Sequence, residues 1–393
     1  MARIEVKNAY KIFGHNPRKR AVPLLEKGLS KAEIQEKTGC VIAVNNCSFG
    51  VEANEIFVVM GLSGSGKSTL LRLINRLIEP TMGEILIEGE NITEASAQRL
   101  REMRRTDMSM VFQHFGLLPH RTVLDNVAFG LEIQGVEEQE RIPKARNAIE
   151  LVGLEGNADS MISELSGGKQ RVGLARGLAT DPHILLMDEA FSALDPLIRT
   201  QMQDELLALQ AKMQKSILFI SHDLDEALKL GDRIAIMKDG LIVQIGTPEE
   251  ILTQPADDYV ASFVENVDRS KVITAGTIMK SALTVEDPKD GVNQAVRVMR
   301  QHGLSTVYVV DSERRLKGVV LVDDAVQATK GGGGGLQAVT RDTYSTGPDT
   351  PVRDMLEHSK ETSIPAAVVD QENRLQGIVT RVALLASIAG AEQ

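Results

Sequence analysis

Gly61-Leu62-Ser63-Gly64-Ser65-Gly66-Lys67-Ser68 is the stretch on which the reading of this 393-residue chain turns. It follows the apolar run 56–60 and precedes a segment with Leu70, Ile74, Leu77 and Ile78 at helical spacing, halted by Pro80. A strand, a glycine-rich turn and a helix in that order make a cradle for phosphate. Glycines at 61, 64 and 66 let backbone N–H groups close around the anion, and the helix directs its positive end at it. Lys67 would reach the outer phosphates and Ser68 would bind Mg²⁺, with Thr69 extending the cradle.

About a hundred residues downstream comes Leu165-Ser166-Gly167-Gly168, and then an apolar run, 184–187, that ends in Asp188-Glu189. Two carboxylates at the end of a buried strand, below a phosphate loop, divide the work. Asp188 supplies a Mg²⁺ ligand, directly or through water. Glu189 can accept the proton of an attacking water. Short apolar strands recur at 216–220, 233–237 and 241–245, with helical segments at 196–213 and 224–230. Asp195-Pro196 is a well-formed helix start. Strands alternating with helices predict an α/β fold on a parallel sheet, and residues 95–180, mostly helical in pattern, predict an inserted subdomain.

Upstream, residues 4–14 alternate as a strand entering a turn. Residues 15–40 interrupt with Arg18, Lys19 and Arg20, then Ser30-Lys31-Ala32-Glu33, a capping box that predicts a helix from Ser30 to about Gly39. Residues 41–60 read as two strands. Cys40 and Cys47 fit no zinc or redox spacing and are expected to be packing residues. The net charge of −10 argues against a nucleic-acid partner, which needs clustered cations. No apolar run approaches the ~20 residues of a membrane span, and the N-terminus lacks the apolar core of a signal peptide. The expected address is cytoplasmic.

After about residue 270 the character changes. Residues 309–320 recur as 368–379, with eight of twelve positions identical at an offset of 59. Each copy reads as strand, polar turn, strand, helix, so two similar modules are expected to pack together. Gly331 to Gly335 lie between them and predict a flexible joint. The expected division is 1–270 and 271–393, with repeat copies at about 272–330 and 336–393.

The order of these motifs resembles the ATPase subunits of ABC transporters over roughly residues 1–255. The resemblance implies a P-loop, RecA-like ABC ATPase with an inserted helical subdomain, ATP and Mg²⁺ as cofactors, and a dimer that sandwiches ATP. Leu165-Ser166-Gly167-Gly168 matches the family signature, which implies that Ser166, Gly167 and Gly168 grip the γ-phosphate bound to the other copy. It also implies that Gln113 approaches Mg²⁺ and reports to the membrane domain. The resemblance further implies that Asp195, in Ser192-Ala193-Leu194-Asp195, lies in the loop crossing the dimer interface, that His222 is the switch histidine contacting the γ-phosphate, and that Phe13 stacks on adenine. One departure stands out. Lys169 and Gln170 lead straight to Arg171, one residue short of the family pattern. A residue turns a helix by about 100°, so Arg171 and the face behind it are expected to sit unusually.

Asn75-Arg76-Leu77-Ile78-Glu79-Pro80, Phe115-Gly116-Leu117-Leu118-Pro119, the insertion and the tandem repeat together resemble one branch, the ATPases of glycine betaine/proline betaine (quaternary ammonium) importers. That implies a transmembrane permease partner, with a fused or separate substrate-binding protein, and a peripheral place on the cytoplasmic face of the membrane. Quaternary ammonium ligands favour aromatic cages. With no Trp and 3% aromatics, this chain is expected to leave substrate to other subunits. The repeat resembles a pair of CBS domains of β-α-β-β-α type, which implies regulation, with cyclic di-AMP or another nucleotide as a candidate ligand. The element that clasps ribose in such modules is halved here: Asp324 stands without a hydroxyl at 321, and Thr380 without an acid at 383. The alternatives are an importer for another solute, such as an amino acid, and a soluble ABC ATPase. Ribosomal members of the latter carry two cassettes and DNA-repair members long coiled coils, whereas this chain has one cassette and about a hundred residues between loop and signature.

Overall fold

The computed structural model describes residues 3–113, 116–165, 168–192, 194–265, 267–330 and 335–389. The chain forms two compact units, Met1–Glu265 and Asn266–Gln393.

In the first unit β1 (Ile4–Phe13), β2 (Val41–Val51), β4 (Met82–Ile87) and β5 (Glu90–Asn91) make an antiparallel sheet in the order β2-β1-β4-β5. The second sheet has the order β10-β9-β3-β8-β7-β6, from β3 (Ile56–Met60), β6 (Met108–Val111), β7 (Ile184–Asp188), β8 (Ser216–Ser221), β9 (Arg233–Lys238) and β10 (Leu241–Gly246). Five of its strands are parallel, as the βα alternation predicts, and β10 returns on β9 as an antiparallel edge. The short Asp239-Gly240 connection leaves no room for the crossover that a parallel partner requires. β3, β7 and β8 are buried throughout, so their apolar runs are continuous rather than alternating.

The insertion folds as anticipated at Ser30, where a full capping box opens Lys31–Thr38 and Gly39 ends it at a φ of 69°. Ile12, Ala21, Val22, Ile34, Cys40 and Ile42 form a small core beneath it. Cys40 and Cys47 are free and buried. The helix after the phosphate loop is shorter than its periodicity predicts: it spans Lys67–Ile74, and Leu77 is half exposed. Arg104 donates to the carbonyls of Asn75 and Arg76, and Arg76 takes a left-handed φ of 51°, which turns the chain out of the helix. Within 95–180 the helices are Ala97–Thr106, Val123–Gln134, Glu138–Leu151 and Lys169–Ala179, while β6 joins the second sheet.

The second unit contains two three-stranded sheets, β11 (Thr284–Glu286), β12 (Thr306–Val310) and β13 (Leu316–Leu321), and β14 (Ser345–Thr346), β15 (Ala366–Val369) and β16 (Leu375–Val379). The register breaks at the same step in both copies, between Val309 and Val310 and between Val368 and Val369. Contacts between the copies are reciprocal. Leu316 N–H donates to Asn373 O and Leu375 N–H to Arg314 O, each at 2.9 Å and each 59 positions from its counterpart. Tyr308, Val310, Val319, Ala367 and Leu375 form the core they share. Of the flexible joint expected at Gly331 to Gly335, residues 331–334 lie outside the described residues.

Candidate nucleotide site

Gly61 and Gly66 are required by shape. Gly61 has a φ of 151°, and a Cβ there would lie 2.2 Å from the Met237 carbonyl oxygen. Gly66, at 104°, would bring a Cβ equally close to the Ala43 carbonyl. The loop is thus pressed between β2 and β9. Leu62 is exposed, and Ser65 Oγ is buried without a hydrogen-bond partner among the described residues. Thr69 lies in the first turn of the following helix. Lys67 is buried, and its ammonium donates to the carbonyls of Gly61 at 2.8 Å and Leu62 at 3.1 Å. Burial lowers its pKa, while Glu189 and Asp188 pull it back up.

Ser68 Oγ donates to Asp188 Oδ1 at 2.9 Å, joining residues 120 positions apart. Asp188 is buried at the end of β7, with Arg72 3.7 Å from its other oxygen. A hydroxyl and a carboxylate are hard oxygen donors of the kind Mg²⁺ takes in small number, keeping its other positions for water and phosphate. The pair fits that ion.

Glu189 takes a left-handed φ of 47°, and its N–H donates to Ile220 O at 3.2 Å. His222, the residue after β8, stands with its Nδ1 3.3 Å from Glu189 Oε2. Gln113 is joined to the same group: its Nε2 donates to Ser192 Oγ at 3.3 Å, and Ser192 Oγ donates to Glu189 O at 2.9 Å. Asp195 caps the helix Pro196–Met213, accepting from Ile198 N–H.

Two sequence-predicted residues, Ser166 and Gly167, lie outside the described residues. Gly168 directly precedes the helix Lys169–Ala179. Arg171, on that helix, donates to Val152 O at 2.9 Å and to Glu205 at 2.5 Å, and so ties the signature helix to Pro196–Met213. Phe13 is exposed at the end of β1 and pairs with Val41, two residues before the Ala43 carbonyl that touches Gly66. Lys11 Nζ lies over its ring, 5.0 Å from the centroid. Arg199 was missed by motif reading: it donates to Asp223 and to the carbonyls of Ser192 and Leu194. No local signal marks it, because its partners lie on two different loops.

In the second unit both half-motifs are already engaged. Asp324 Oδ1 accepts from Arg341 at 2.6 Å, and Thr380 Oγ1 accepts from Ala383 N–H at 3.2 Å, as a helix cap.

With these arrangements in place, the chain belongs to the ABC transporter ATP-binding proteins and carries a pair of CBS domains: the ABC transporter family model matches residues 44–192, and the CBS domain model matches 275–331 and 336–390. As an ABC ATPase it binds ATP. It is 53% identical over 390 residues to the glycine betaine transport ATP-binding protein OpuAA of Bacillus subtilis (strain 168), covering 99% of this chain and 93% of the relative. It is 52% identical over 394 residues to the glycine betaine/carnitine transport ATP-binding protein GbuA of Listeria monocytogenes serotype 1/2a (strain 10403S), covering 100% and 99%. Among solved structures, the dimeric bacterial ABC transporter cassette MJ0796 matches with a TM-score of 0.53 and 30% identity, over 62% of this chain and 98% of that one. Among the described residues, no helix is long and apolar enough to cross a membrane.

Proposed function

We propose that this chain hydrolyses ATP to drive import of glycine betaine or a closely related quaternary ammonium osmoprotectant. The observation that carries the reading is the 53% identity to a glycine betaine transport ATP-binding protein across 99% of the chain, CBS pair included. The chain would act as two copies on the inner face of a membrane, docked on a transmembrane permease that supplies the solute path.

In the proposed cycle, Lys67 exchanges the loop carbonyls for the outer phosphates of ATP, and the N–H groups of residues 61–69 hold the rest. Mg²⁺, held by Ser68 and Asp188 with Gln113 nearby, would neutralise charge on the phosphates. Glu189 accepts the proton of the attacking water, and His222 orients the Glu189 carboxylate through the 3.3 Å contact. Phe13 stacks on adenine. Ser166, Gly167 and Gly168 grip the γ-phosphate bound to the second copy, with Asp195 at the interface. The CBS pair would regulate turnover. Its ligand on this reading is cyclic di-AMP or another nucleotide bound without the usual ribose clasp, since Asp324 and Thr380 are occupied by Arg341 and Ala383.

The test is ATP-dependent uptake in vesicles containing the chain and its permease. Glycine betaine should be accumulated and should compete with its own labelled form, whereas amino acids should not. Uptake of an amino acid with no response to betaine would overturn the proposal. The same vesicles titrated with salt and cyclic di-AMP, with and without residues after 270, test the regulatory role.

A further inference from the structure

Arg199 and Gln203 lie one turn apart on the helix Pro196–Met213, so both face the loop that carries His222. Arg199 Nη1 donates to Asp223 Oδ2 at 3.1 Å. Its Nη2 reaches Ser192 O at 3.4 Å and Leu194 O at 3.2 Å, in the connection between Glu189 and Asp195. Gln203 Nε2 donates to Glu226 Oε1 at 3.2 Å, and Glu226 Oε2 accepts the Ser221 hydroxyl at 2.5 Å. Both neighbours of His222 are therefore held from one helix: Asp223 by Arg199, and Ser221 by Gln203 through Glu226. Gln203, Ser221 and Glu226 are all buried.

We propose that Arg199 and Gln203 are positioning residues, a two-rung clasp that sets His222 against Glu189. The proposal rests on the assignment of Glu189 and His222 made under Proposed function. A guanidinium suits the first rung because its planar fork can hold a carboxylate and two carbonyls at once. The second rung is buried, and both oxygens of the Glu226 carboxylate accept within it, from Gln203 and from Ser221, so it fixes distance. Among the described residues, neither rung hydrogen-bonds to the phosphate loop. Loss of the clasp should therefore change turnover and leave nucleotide binding alone.

The test compares steady-state ATPase activity of the full chain, assembled with its membrane subunits, in Arg199→Ala, Asp223→Asn, their double variant, Gln203→Leu and Glu189→Gln. Asn at 223 keeps the helix cap and removes the charge that Arg199 engages. Misplacement of catalytic groups by about 1 Å costs on the order of 100-fold, so kcat should fall about 10- to 100-fold in Arg199→Ala and in Asp223→Asn. KM for ATP should stay within about threefold, and the double variant should be no slower than the slower single one. Should Arg199→Ala fail to fold, Asp223→Asn and Gln203→Leu are judged by the same split between kcat and KM. Wild-type kcat in these variants, a change confined to KM, or multiplying effects in the double variant would overturn the clasp. Fast turnover in Glu189→Gln would instead overturn the assignment of the base, so the two failures are separable.

Discussion

Replacing Glu189 with Gln isolates the proton-accepting step. Gln has the same number of heavy atoms, so the left-handed backbone at 189, the N–H bond to Ile220 O and the approach to His222 can all persist. The amide cannot take a proton from water. General-base catalysis contributes about 10²- to 10⁴-fold, which at about 1.36 kcal/mol per tenfold is about 2.7–5.4 kcal/mol of barrier. Binding should behave differently, because the cradle is made of backbone N–H groups and Lys67. Removing a negative charge that acts on Lys67 also removes repulsion toward a triphosphate. Single-turnover hydrolysis beside a fluorescent-nucleotide titration reads both quantities. Turnover should drop at least 100-fold, with ATP affinity equal or tighter. Hydrolysis within tenfold of wild type would refute the assigned base, and lost affinity would refute the separation of the two roles.

Ser68→Ala removes the hydroxyl that meets Asp188 at 2.9 Å, so hydrolysis should need several-fold more Mg²⁺ and chelation should abolish it; an unchanged Mg²⁺ titration would contradict that role. Tyr308→Phe deletes the buried hydroxyl that donates to Pro365 O between the CBS copies. It should cost about 1–2 kcal/mol, visible by calorimetry as a Tm lower by about 5–10 °C; an unshifted Tm would contradict the bridge. The Cys47 thiol is pushed up by burial from 9.0 to about 11. Its contribution to stability is complete below pH 9 and disappears as pH rises toward 11, by about 3 kcal/mol at most. Cys47→Ala should flatten that alkaline loss in urea titrations, and identical pH profiles would contradict it.

The parts of this protein legible in sequence are those whose physics is local. A phosphate loop needs consecutive glycines and a helix start, a capping box is completed within four residues, and a repeat at offset 59 declares two like modules. The helix Pro196–Met213 begins and ends where its pattern says, because Asp195 caps it and Gln214 takes a left-handed φ at its end. The helix after the phosphate loop stops early because Arg104, 28 positions beyond Arg76, caps its carbonyls. Arg171 bonds to Glu205, 34 positions away, and neither residue announces the other.

The order of motifs was enough to assign nucleotide chemistry, a parallel sheet and a pair of like modules. Only folding decided that β10 runs backwards, that Ser68 meets Asp188, that Glu189 meets His222, and that Arg199 holds two loops together. Hydrogen bonds within a turn are encoded by neighbours along the chain. Those between loops exist only once buried strands such as β3, β7 and β8 have packed in one order and brought distant residues within about 3 Å.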